Sequence, residues 1–191
     1  KGTGGATRVP RIKADVVLVS HEHPDHNNVE TIEGNPLVFR GPGEYEFQGI
    51  FIEGVPSFHD ASGGRERGFN TMFVIESEDL RVVHLGDLGE PQLGEAQLEK
   101  LGDIDILMIP VGGTYTINGR QAFQIVSRIE PKVVIPMHYK AGNSNSPLDT
   151  ADKFLKEFGI KLNPEEKISV RKKEILEEKI KPILLRALAF T

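Results

Sequence analysis

Four potential metal-binding side chains fall within six residues, His21-Glu22-His23-Pro24-Asp25-His26, directly after the aliphatic run Asp15-Val16-Val17-Leu18-Val19. That run has the β-branched character of a buried central strand, so the segment behind it is a loop at the strand's C-terminal end. In an extended or turning loop His21 and His23 point the same way because side chains alternate, and the turn at Pro24 lets Asp25 and His26 swing toward a neighbouring position. One loop can therefore serve two adjacent metal ions. A His-rich surface loop, or histidines capping the next helix, would not need three imidazoles gathered around one aspartate at the mouth of a strand.

The chain contains no cysteine, which excludes disulfides and thiolate ligation and leaves His and carboxylate as the metal-binding groups. Such donors suit two divalent cations, zinc in the first place, with manganese or iron as alternatives. A length of 191 residues with 38% hydrophobic content fits one domain over 1–191 with a sizeable core. The net charge of -5 argues against a general attraction for nucleic acid or anionic membrane. No apolar run approaches the roughly 20 residues of a membrane span, and Lys1 to Ile12 lacks the apolar core of a signal peptide, so a cytoplasmic location is expected. The Gly/Thr-rich start, Lys1 to Thr7, has no Met before it and reads as a processed or truncated N-terminus, or as numbering that begins part-way into a protein.

Further strands are expected at Pro36 to Phe39, Ile50 to Val55, Thr71 to Ile75, Arg81 to Leu85, Ile104 to Pro110 and Lys132 to Pro136. Helices are expected at Asn28 to Ile32, Gly94 to Leu101 and Gly119 to Ile129. Another should begin at Ser146-Pro147, with Ser146 as cap and Leu148, Ala151, Leu155 and Phe158 on one face until Gly159 stops it. This order of elements points to a layered α/β protein. In the tail, Lys167 to Ile175 reads as an alternating strand, and Leu176 to Ala189 as a closing helix or interaction segment. The apolar Pro182 to Phe190 stretch leaves a homo-oligomer open.

The pattern His21-x-His23-x-Asp25-His26 resembles the signature of the metallo-β-lactamase superfamily, whose fold is a four-layer αββα sandwich with metals at its edge. The resemblance covers about residues 15 to 140. It implies three later ligands, and the chain offers His59 in Val55-Pro56-Ser57-Phe58-His59-Asp60, Asp87 in His84-Leu85-Gly86-Asp87, and His138 in Ile135-Pro136-Met137-His138-Tyr139, each after an apolar run. By position, His21, His23 and His59 would hold one metal and Asp25, His26 and His138 the other, with Asp87 bridging both. A Glu at position 23 would have suggested the di-iron flavoprotein branch, and a Cys near Asp87 the antibiotic-hydrolysing branch. The all-His/Asp set instead looks like the branch of lactonases, phosphodiesterases and thioester hydrolases. Within it, Ala14 to Ser20, Val83 to Asp87 and Pro110 to Thr116 are similar to the ascorbate-phosphate lactonase-like proteins. In that family an N-terminal hairpin precedes the metal loop by some tens of residues, whereas here the loop begins at position 21; either those strands are missing from this chain or the sandwich is completed differently.

The resemblance implies hydrolysis by a bridging hydroxide between two metals. The substrate would be a small molecule with an ester or lactone bond. A phosphodiester fits the same chemistry, and a non-catalytic metal-binding role is the contrasting class. Asp25 could orient the nucleophile or accept its proton, and His84 is either a buried strand histidine or a proton-transfer residue. Arg65 and Arg67, in the Gly-rich loop after His59, could clamp an anionic substrate, against the ordinary reading of solvated arginines. Gly113, Thr114 and Tyr115 follow a strand and could offer backbone N–H groups to an oxyanion, against the reading of a plain tight turn.

Overall fold

A computed structural model describes residues 12–142, 144–175 and 180–186 of the chain. Its strands are β1 (Ile12–Lys13), β2 (Val16–Val19), β3 (Ile32–Glu33), β4 (Leu37–Arg40), β5 (Gly43–Phe47), β6 (Ile50–Phe58), β7 (Phe69–Ser77), β8 (Leu80–His84), β9 (Ile106–Pro110), β10 (Val133–Met137) and β11 (Lys181–Pro182). The helices are α1 (Glu95–Leu101), α2 (Gly119–Ile129), α3 (Ala151–Glu157) and α4 (Lys172–Ile175).

Seven strands form one mixed sheet in the order β11-β10-β9-β8-β7-β6-β5. The β5 to β8 half is antiparallel, and the β8 to β11 half is parallel. Because β6 and β8 both run against β7, they point the same way as β9 and β10, and all four end at one edge of the sheet. The remaining strands form two parallel pairs, β1 with β3 and β2 with β4. The end of β2 docks on the large sheet through the Thr71 N–H, which donates to the Ser20 carbonyl at 2.8 Å.

Alternation along the parallel strands separates two apolar faces. Val83, Leu107, Ile109 and Val134 pack with Ala122, Ile125 and Val126 of α2 and Phe154 and Leu155 of α3 in the main core. Their neighbours Val133 and Ile135 pack on the other face with Ile175 and Ile183. Helix α2 begins where Asn118 and Gln121 exchange side-chain-to-backbone hydrogen bonds at 3.0 Å each, a capping box worth about 1 kcal/mol. Among the described residues, no helix is long and apolar enough to cross a membrane.

Several expectations need correction. Asn28 to Ile32 is not a helix but a single 3₁₀ turn, Val29–Thr31, followed directly by β3. Helix α3 starts at Ala151 behind Thr150, not at Pro147. The Ser146 hydroxyl accepts the Leu148 N–H, and the Asp149 N–H is held by the Gly112 carbonyl at 2.8 Å, so this stretch braces a loop before the helix can begin. Lys167 to Ile175 contains no strand; α4 occupies its end. The expected helix from Leu176 to Ala189 meets β11, which pairs with Val133 and Val134. Residues 176–179 and 187–191 lie outside the described residues, as does the Gly/Thr-rich start. Ile183 and Leu184 are buried within the chain's own cores. The edge strand β5 was not anticipated, because Glu44 and Glu46 alternate with half-buried residues on a rim open to solvent.

Candidate metal centre

The common direction of β6, β8 and β10 decides where the centre lies. His59 follows the last residue of β6, Asp87 lies three residues past β8, and His138 follows β10, while His21 comes two residues after β2. Four strand ends thus deliver their loops to one place. The loop from His21 to His26 is held on its outer side by Glu22, whose carboxylate accepts from Asn27 Nδ2 at 2.8 Å and from the Arg40 guanidinium at 2.6 Å.

Two glycines let these loops approach more closely than any side chain would allow. A Cβ at Gly89 would lie 2.3 Å from both the His59 carbonyl carbon and the Asp60 nitrogen. One at Gly112 would lie 2.2 Å from the His138 carbonyl oxygen. His138 itself sits at φ 48, a left-handed backbone that turns its ring off the line of β10.

The histidine rings converge on one carboxylate oxygen. Asp87 Oδ2 lies 3.7 Å from Nε2 of His21, 3.6 Å from that of His26, and 3.3 Å from those of His59 and His138. His23 completes the group, with ring centroids 4.8 Å from His21 and 4.9 Å from His59. Two ligand sets, His21 with His23 and His59, and His21 with His26 and Asp87, each bring their donor atoms within 4.8 Å of one another. Two donors on one tetrahedral zinc at about 2.1 Å stand roughly 3.4 Å apart, and Asp87 Oδ2 stands 3.3–3.7 Å from its imidazole neighbours. His21 Nε2, which faces the Asp87 carboxylate, is buried without a hydrogen-bond partner, a costly condition for a polar atom unless a ligand satisfies it. The residues therefore fit a metal.

For His21 and His23 electrostatics point the same way. Burial, opposed by Asp87 and reinforced by the neighbouring imidazoles, lowers the His21 pKa to about 4, which keeps the ring neutral as a ligand must be. Burial and His59 also lower the pKa of His23. Although burial alone would raise the Asp87 pKa, His138 and His59 hold its carboxyl well below the usual range. The same contact raises the His138 pKa against the effect of burial.

Asp25 stands apart from this convergence. Its side chain is 81% exposed and lies 3.7 Å from His26, so it stands at the rim. His84 ends β8, half-buried, and its Nδ1 accepts the Gly86 N–H at 3.0 Å; burial lowers its pKa. That is the bonding of a strand histidine that braces the turn toward Asp87. Arg65 Nε donates to the Ser62 carbonyl at 2.9 Å within its own loop. Arg67 lies over the Tyr115 ring at 4.0 Å, so those two expected residues meet. The oxyanion expectation for Gly113 and Thr114 is not supported, because their N–H groups donate to the carbonyls of Ile117 and Gly112 at 3.2 and 2.9 Å.

Three supporting residues escaped the sequence reading. Ser20 Oγ lies 3.0 Å from His21 Nδ1, a contact that orients the ring and leaves Nε2 for a metal. Asn70 is buried, accepts the Asp87 N–H at 2.9 Å and donates to Ser57 Oγ and the Leu85 carbonyl. Asp60 accepts four backbone N–H groups, from Ser62, Gly64, Glu66 and Arg67, at 2.8–3.0 Å. Burial opposes its ionisation, but these donors hold its pKa below the ordinary value. A buried polar pair, Asn70-Thr71, near the start of an otherwise apolar strand was the available signal for the second of these.

A family model described as the beta-lactamase superfamily domain matches residues 3–138. Over 158 residues the chain is 29% identical to a protein of Thermococcus onnurineus named metal-dependent hydrolase, covering 70% of each chain. Over 161 residues it is 30% identical to a protein of the same name from Pelotomaculum thermopropionicum, covering 69% of this chain and 70% of that one. A solved structure from Thermotoga maritima, described as a candidate Zn-dependent hydrolase of the metallo-β-lactamase superfamily, superposes with a TM-score of 0.72 at 36% identity, covering 93% of this chain and 86% of that one. A metallo hydrolase from Ignicoccus hospitalis gives a TM-score of 0.59 at 18% identity over 93% of this chain and 80% of that one, a likeness of fold alone. The layered α/β class expected from the sequence is the one these structures share.

Proposed function

Since the chain belongs to the metallo-β-lactamase superfamily, we propose that it is a metal-dependent hydrolase whose centre holds two divalent cations, zinc in the first place, and cleaves an ester or lactone bond in a small molecule. His21, His23 and His59 would hold one ion, and Asp25, His26 and His138 the other, with Asp87 shared between them. The observation that carries this reading is the place of Asp87 Oδ2, within 3.3 to 3.7 Å of four imidazole nitrogens drawn from both groups. When bound, two such ions supply Lewis acidity and lower the proton affinity of water to near neutral pH.

The chain's own residues supply the rest. Ser20 orients His21, and Asn70 fixes the backbone from which Asp87 projects. The buried floor formed by His21, His59 and Asp87 excludes water from one side of the cluster, while His26 and Asp25 leave the other side open to substrate. In this reading Asp25, at that open rim, both binds the second ion and takes up the proton released during attack. His84 supports the turn before Asp87 by accepting the Gly86 N–H. The choice of ester or lactone rests on the likeness of Ala14 to Ser20, Val83 to Asp87 and Pro110 to Thr116 to the ascorbate-phosphate lactonase-like proteins. We take 1–191 as one hydrolase domain; its acidic balance suits a small-molecule substrate rather than nucleic acid.

Elemental analysis of protein purified without added metal, paired with assays of a p-nitrophenyl ester, a simple lactone and bis-p-nitrophenyl phosphate, tests this reading. About two metals per chain and turnover of the ester or lactone are expected, with metal and turnover lost together in His21→Ala and Asp87→Ala. Protein that takes up no metal on reconstitution would overturn the ligand assignment. Turnover of the phosphodiester alone would overturn the substrate class.

A further inference from the structure

Two loops flank the centre and meet each other. The first, residues 60–68, leaves His59 and returns to it, since the His59 N–H donates to the Gly68 carbonyl at 3.0 Å. The second, residues 111–118, leaves β9 and passes against His138 at Gly112. Arg67 from the first loop lies 4.0 Å from the ring centroid of Tyr115 in the second. The pair therefore bridges the His59 and His138 sides of the site.

Both members are held in ways that a plain solvated loop would not need. Tyr115 is 50% exposed and adopts a left-handed backbone at φ 74, which is uncommon for an aromatic residue. Arg67 receives its position from Asp60, whose carboxylate accepts the Arg67 and Glu66 N–H groups on one oxygen and the Ser62 and Gly64 N–H groups on the other. One buried carboxylate adjoining a candidate ligand thus sets the shape of the whole loop. Among the described residues no carboxylate pairs with the Arg67 guanidinium, while Glu66 is engaged by Ser62 and Glu90 by Gln97 and the Phe58 N–H. A guanidinium stacked on an aromatic face keeps its in-plane donors free for a planar oxyanion.

We propose that Arg67, laid on Tyr115 by the Asp60-pinned loop, is the residue by which this enzyme selects a substrate carrying an oxyanion at a distance from the scissile bond. Arg67 and Tyr115 are the specificity residues, and Asp60 is a positioning residue that acts through them. This rests on the hydrolase reading above and narrows it to anionic esters. Arg65, tied back to Ser62, has no such platform.

The test compares mono-p-nitrophenyl succinate, which carries a carboxylate, with the neutral p-nitrophenyl pentanoate of similar length. In the wild type the anionic ester should have the lower KM. Arg67→Gln should cut the ratio of kcat/KM for the anionic over the neutral ester about tenfold, through KM rather than kcat. Asp60→Asn and Tyr115→Leu should cut it in the same direction, by several fold. Equal KM values for the two esters in the wild type, or an unchanged ratio in Arg67→Gln, would overturn the proposal. If the wild type turns over neither ester, the hydrolase reading falls separately, and the oxyanion site is decided on metal-free protein by NMR. There the Arg67 Nε–H resonance, identified by its loss in Arg67→Gln, should shift saturably with succinate or with inorganic phosphate, and the two titrations show which oxyanion is preferred. No shift with either would reject the site.

Discussion

Gly89→Ala should detach the two halves of the proposed metal centre without replacing a ligand. The added methyl would begin 2.3 Å from the His59 carbonyl carbon and the Asp60 nitrogen, and 2.5 Å from the Asp60 Cα. All three atoms are backbone, so no side chain can turn away. Ordinary contact requires the loop carrying Asp87 and the end of β6 to separate by roughly 1 Å, a strain of about 1–3 kcal/mol for the fold. The same movement draws Asp87 away from His59, which now stand 3.3 Å apart. A ligand displaced on that scale should weaken metal binding about 10- to 100-fold, as loss of an orienting partner does. Competition with a chromophoric chelator gives the affinity, and thermal unfolding of the metal-free variant shows that it still folds. A folded Gly89→Ala protein that binds metal within about twofold of the wild type would refute the argument that this close approach aligns the two ligands.

Asn70→Ala leaves the Asp87 N–H and the Leu85 carbonyl buried without their partner, so denaturant titration should show a loss of about 3 kcal/mol; a loss under about 0.5 kcal/mol would mean the brace is dispensable. The pH dependence of the metal-free protein follows from His21, whose pKa falls from 6.5 to about 4 on folding. Below 6.5 the unfolded chain binds a proton that the folded chain does not. Stability should therefore decline as pH drops from 6.5 to 4, by an amount on the order of 3 kcal/mol. His138, with its raised pKa, contributes in the opposite sense, lending stability in acid that is lost as pH rises through its folded value. Urea titrations of wild type and His21→Gln across pH 4 to 7 isolate the first effect, and parallel curves would reject it.

The sequence made the centre legible because its densest part is local. His21 to His26 needs no tertiary information to be noticed, and the strands behind it are continuous apolar runs of a kind that few other structures explain. Its remaining partners sit at the ends of equally plain strands. What escaped were residues whose role exists only in the folded chain: Asn70 looks like an ordinary polar residue until Asp87 is brought beside it, and Asp60 looks like a loop acid until four amides turn inward. The helical signal at Ser146-Pro147 failed because the loop against Gly112 engages Asp149 first. Lys167 to Ile175 shows alternation, yet its apolar residues Ile168 and Val170 pack on the β10 face without a neighbouring strand to pair with. Alternation reports which side chains are buried, not whether the backbone finds a partner.

The hexapeptide from His21 to His26 carries four donors before any tertiary structure forms, whereas His59, Asp87 and His138 join it only after the sheet has assembled. An ion can thus be captured weakly by the unfolded chain and strongly by the folded one, and the metal's net contribution to stability is the ratio of those two affinities rather than the affinity of the finished centre. In the proposed centre the ion would also be a sensor of register. A one-residue slip of β10 against β9 would turn its side chains to the opposite face and carry His138 away from Asp87. Mispaired sheets would then hold metal poorly, and a supply of the cation during synthesis would act as a selection among competing strand alignments in a fold whose contacts are mostly distant in sequence.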